Sequence, residues 1–138
     1  MARRIDRTVP GGFIEARARL RTAEAYLQSA ELALKEVARQ EFTTVAAGNA
    51  VLAGIAANDS ICCSRLGRMH RGDDHRAAAQ LLGQATPDGK ALAVTLSRLL
   101  ELKDAAHYSA TLISNRRAAD AIKWAHKLVE RARVEVER

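Results

Sequence analysis

The chain reads as an all-α domain, an up-and-down antiparallel bundle of four long helices plus a short one. Three observations predict this. Apolar residues recur at steps of three and four over long stretches, the period of a one-sided helix. Alanine, the strongest helix former, dominates those stretches, while aromatics reach only 4% of the chain. The two prolines, Pro10 and Pro87, stand at boundaries between the stretches, and the β-branched runs that strands need are missing. With 138 residues, one such domain can build a core of its own.

Residues 1–12 form a basic tail containing Arg3, Arg4 and Arg7. Pro10-Gly11-Gly12 ends it, and so short a charged segment is expected to be disordered. The helical domain then spans 13–138. Its first helix runs from Phe13 to about Arg39, with an apolar stripe of Leu20, Ala23, Leu27, Ala30, Leu34 and Val37. Arg17, Arg21, Lys35 and Glu36 are left for the wet side.

The second helix, Thr44 to Leu66, is apolar nearly all round, which places it in the middle of the fold. Thr44 is the expected cap, and Gly67 suits a left-handed residue past the end. Gly48 and Gly54 predict close helix crossings. Asn58, Asp59 and Ser60 interrupt the apolar surface, so the Asp59 carboxylate should meet a cation or a donor. Arg68 to Gly72 is a basic loop. Asp73 or Asp74 then caps a short helix to about Leu82, and Thr86-Pro87-Asp88-Gly89 makes a turn. A long helix from about Lys90 to Leu112 follows, with Leu92, Leu96, Leu99 and Ala106 inward. Ser114 or Asn115 caps the last helix, whose stripe is Ala118, Ala121, Ala125, Leu128, Ala132 and Val136.

The formal net charge of +6 favours phosphate-rich partners. No phosphate-cradling glycine motif, zinc signature or nucleophile elbow occurs, so neither a metal nor a cofactor is expected. Cys62 and Cys63 are adjacent on one helix and supply no disulfide framework. The N-terminus lacks an apolar signal segment, and no apolar run stands out as a membrane span. A reducing cytoplasm is the expected compartment. Trp124 reads as a core or rim aromatic, and His107 and His126 as surface residues. The amount of apolar helix surface suggests a homodimer.

Chemistry concentrates between Asp59 and His75, where a carboxylate, three arginines (Arg65, Arg68, Arg71) and the histidines His70 and His75 fall together. An arginine near a histidine can hold a phosphate while the imidazole handles a proton. This segment and the order of elements from about Ala23 to Val134 resemble the HEPN superfamily of helical domains. Ala57-Asn58-Asp59 resembles its A-x-E stretch, with Asp for Glu. Gly72, His75 and Leu81-Leu82 match its loop, its helix-opening histidine and its paired leucines. Lys103 and Tyr108 match an arginine five residues before a tyrosine, with Lys for Arg, and the capped segment Ser114 to Val134 matches the closing helix.

The resemblance implies two readings. In one, the chain is a non-catalytic module that binds a nucleotide or nucleic acid, or docks a nucleotidyltransferase as its partner. Arg65, Arg71, Lys103 and Tyr108 would contact the nucleic acid. In the other, it is a metal-independent ribonuclease of the toxin type. Nuclease members carry an arginine separated from a histidine by four to six intervening residues, which Arg65 with His70 and Arg68 with His75 both satisfy. Arg68 would then hold the scissile phosphate, His75 would act as base, and Asp59 would fix one of them, with two subunits sharing the proton work.

Overall fold

A computed structural model describes residues 7–36, 39–107 and 110–137. Val37 and Tyr108, and with them the expected role of Tyr108, lie outside the described residues. The elements in chain order are β1 (Arg7–Pro10), α1 (Phe13–Leu34), α2 (Glu41–Leu66), β2 (Arg68–Arg71), α3 (His75–Ala85), α4 (Gly89–Glu101), α5 (Lys103–His107) and α6 (Asn115–Glu137). The all-α class holds.

The axis of the bundle is α2. Its surface from Asn58 to Cys63 is buried without a break, as its all-round apolar sequence predicts. By length and composition this helix suffices to cross a membrane, contrary to expectation, but 78% of its apolar window is buried inside the bundle. Antiparallel to it lies α1, joined where the Ser60 hydroxyl donates to the Ala16 carbonyl at 2.7 Å. On α1, Ala23, Leu27 and Ala30 are buried and Leu20 and Leu34 flank them. The helix stops at Leu34 rather than Arg39. No glycine or proline marks that end, so the sequence carries no stop signal there.

On another side, α6 buries its whole expected stripe from Ala118 to Val136, and Trp124 packs at the rim of the core. It runs parallel to α2, with Ile113 beside Thr43 and Thr44 at one end and Glu135 beside Arg65 at the other. That contact also corrects the expected cap. Thr44 sits inside the helix, where its hydroxyl accepts from Ile113 N at 3.0 Å. The other end behaves as predicted, with Gly67 in the left-handed region at φ 71°. Gly54 is the close crossing: a Cβ there would lie 2.5 Å from Leu99 Cδ1 of α4.

The short helix α3 is capped by Asp74, whose carboxylate accepts from Ala77 N at 3.2 Å. It extends to Ala85 and turns back into α4 through Thr86-Pro87-Asp88. The expected helix from Lys90 to Leu112 is broken at Leu102 into α4 and α5, and 110–112 is not helical. His107 is exposed, with its ring against Gly48 of α2.

While Arg3 and Arg4 lie outside the described residues, residues 7–10 of the N-terminal tail and 68–71 of the basic loop depart most from expectation. They are two short antiparallel strands, with Arg7 opposite Arg71, Thr8 opposite His70 and Val9 opposite Met69. Burial explains the pairing. Met69 is buried in a small second core with Ala16, Cys63 and Val136, and Val9 packs against it. Two four-residue strands give little periodicity to read, so the sequence suggested loop and disorder.

Candidate functional site

The ribbon carries the chain back alongside α2 before α3 begins. It thereby closes one side of a cavity of about 270 Å³ beside Asp59 of α2, whose lining is drawn from α1, α2, β2, α3, α4 and α5. Arg19, Asn58, Asp59, His70, Arg71, His75 and Lys103 form its polar lining, and Ile55, Ala78, Leu96 and Leu100 its apolar wall.

Asp59 is 4% exposed, and its expected cation comes from α1. Arg19 reaches Asp59 Oδ2 with both Nε and Nη2, each at 3.1 Å. Arg71 Nη1 stands 4.0 Å from the same oxygen, an ion pair rather than a hydrogen bond. Burial pushes the Asp59 carboxyl up to about 6, and the charges of Arg19 and Arg71 pull against that rise. The balance is uneven: three basic side chains, Arg19, Arg71 and Lys103, line the cavity against one carboxylate. Arg7 lies opposite Arg71 across the ribbon, and like charges directly opposite on paired strands destabilise them. Such a surplus held at one place favours an anion.

Of the residues expected at the site, Asp59, Arg71, His75 and Lys103 meet here, together with His70. Two do not. Arg65 turns away from the cavity, where Nη1 binds Glu135 Oε1 at 3.2 Å and Nε donates to the Ala85 carbonyl at 3.3 Å. Arg68, expected beside His75, is exposed at the far end of β2, opposite Pro10. A strand advances about 3.3 Å per residue, so position 68 stands roughly 10 Å from position 71 along the ribbon. Arg71 therefore takes the place at the cavity that the spacing rule gave to Arg68.

Arg19 is the residue that sequence reasoning missed. A signal was present. With Ala16 and Ala23 it falls at helical spacing on the buried side of α1, where an arginine needs a carboxylate partner. The described residues contain no cluster of three or more histidine, cysteine or acidic side chains placed to hold a metal ion. Cys62 and Cys63 are buried, and burial pushes both thiols up, to about 12 and about 11. That burial disfavours the thiolate, the reactive form, at both positions.

No protein-family model and no curated protein sequence matches this chain. Any reading of the cavity therefore rests on its own geometry and charge.

Proposed function

We propose that the chain is a HEPN-like helical module that binds the phosphate of a nucleotide or of RNA in the Asp59 cavity, without catalysis. The observation that carries this is the charge count. Three basic side chains and two imidazoles surround a single carboxylate whose ionisation burial already disfavours. Asp59 holds Arg19 and Arg71 in place without neutralising the site, and an incoming phosphate supplies the missing negative charge. The apolar wall of Ile55, Leu96 and Leu100 gives a base or ribose a dry surface to lie on.

Titration calorimetry with uridine monophosphate at low salt tests the reading. The parent protein should bind, and Arg71→Ala should weaken binding about tenfold, the value of one charge-assisted contact. Arg71 is exposed, so its loss should leave the melting temperature almost unchanged. Binding should also weaken as salt rises. Equal affinity in parent and variant sinks the proposal.

One observation favours the ribonuclease reading as a second possibility. His70 and His75 line the same cavity, so a single chain holds two groups able to serve as base and acid. RNA incubated with the protein in chelator would then be cut, and His75→Ala would abolish the cut. Intact RNA under those conditions leaves the binding module standing alone.

A further inference from the structure

His75 borders two concavities. One is the Asp59 cavity. The other is an open groove of about 900 Å³ between α3 and α4, and Leu100 is shared by both. The groove exists because small residues face each other across it. Ala79 and Gly83 on α3 and Ala93 and Ser97 on α4 are each one turn apart on the lining sides. Its rims carry Arg76, Gln80 and Gln84 from α3 and Lys90 from α4, all exposed. Glu101 is the one carboxylate among the lining residues.

We propose that this groove is a track for single-stranded nucleic acid, with one nucleotide seated in the Asp59 cavity and its neighbours lying along α3 and α4. The inference rests on the phosphate reading of that cavity. Continuity supports it, since the groove and the Asp59 cavity share His75 and Leu100 in their linings, so a strand anchored at His75 can run on into the groove. Charge supports it too: Arg76 and Lys90 outnumber Glu101, and the Gln and Ser side chains offer donors to phosphate or base edges. A partner helix fits less well, because such grooves take large apolar anchors and this one is lined by alanine, glycine and polar groups. From His75 to Gln84 the helix rises about 14 Å at 1.5 Å per residue. A stacked strand advancing about 3.4 Å per nucleotide would fill that length with about four nucleotides.

The test is a length series. Fluorescein-labelled uridylates of one, two, four and eight nucleotides, and a duplex of eight base pairs, are titrated by anisotropy at low salt. Affinity should rise about tenfold or more from one nucleotide to four and then flatten, and the duplex should bind no better than the mononucleotide. The double variant Gln80→Glu, Lys90→Glu should lose the rise with length and keep the mononucleotide affinity. Both positions are exposed, and an unchanged circular dichroism spectrum verifies the fold. Mononucleotide binding with no gain in length overturns the track and spares the cavity reading, as does a double variant that binds long strands like the parent. Failure to bind at any length overturns both.

Discussion

Two buried carboxylates in this molecule are each gripped by two arginines, yet they do different things. Glu135 of α6 is met by Arg65 at 3.2 Å and by Arg131 at 2.8 Å. Arg131 also clasps Asp88 with both Nη atoms, at 2.6 and 2.8 Å. That clasp and the Thr86 hydroxyl hold the Asp88 carboxyl well below the usual carboxylate range. Among the described residues two cations there face two anions, and the cluster ties α2, α6 and the α3–α4 turn together. At Asp59 three cations face one anion beside a cavity. A buried Arg–carboxylate pair therefore says little about function by itself. The charge left over and the space beside it separate a clamp from a binding site.

The largest effect is expected at the clamp. Glu135→Ala leaves Arg65 without its ion-pair partner while Arg131 keeps Asp88, and should cost about 3 kcal/mol, the low end for a broken buried pair because Arg131 stays paired and Arg65 keeps some water. Urea denaturation measures it, and uridine monophosphate binding should stay as in the parent. If that variant is as stable as the parent, the cluster is not a clamp.

Asp59 should reveal itself through pH. Its folded value, about 6, lies above the ordinary 3.8, because burial outweighs the attraction of Arg19 and Arg71. The folded state thus holds the proton more tightly than the unfolded chain. This carboxyl stabilises the fold below about pH 4, and that contribution is lost as pH rises to about 6. The rise from 3.8 to about 6 corresponds to about 3 kcal/mol at most. Asp59→Asn stays neutral and should flatten that stretch of the stability profile between pH 4 and 6. An unchanged profile in the Asn variant would mean that another group titrates there.

What the sequence made legible follows from pattern length. The stripe of α6 and the buried middle of α2 were plain because their apolar positions repeat over several turns. The ribbon was not, since Val9 and Met69 are its only apolar anchors. That omission misplaced the site. With 68–72 read as a loop, the family's spacing was free to pair Arg68 with His75, and only the strand shows that Arg71 stands at the cavity instead. Asp59 was legible as a residue in need of a cation, but its partner lies forty positions away on α1. Glu135 was not singled out at all, for it sits among charged residues near the end of the chain and its burial depends on where Arg65 and Arg131 reach.

Arg65 gives the smallest and most discriminating effect. Position in the chain put it among the nucleic-acid contacts, and geometry puts it in the clamp. Its side chain is 27% exposed, and its bonds to Glu135 and to the Ala85 carbonyl are long, at 3.2 and 3.3 Å. Arg131 still holds Glu135 when Arg65 is gone, so no buried carboxylate is orphaned. Arg65→Ala should therefore cost only about 1 kcal/mol, as expected of a part-exposed ion pair. A thermal melt should register this as a fall of a few degrees. Uridine monophosphate and RNA should bind within about twofold of the parent, since the side chain does not line the Asp59 cavity. A large loss of RNA affinity with an unchanged melt would reverse the assignment. Arg65 would then belong to the binding surface, and the division between a neutral clamp and a cationic site would fail where it is drawn.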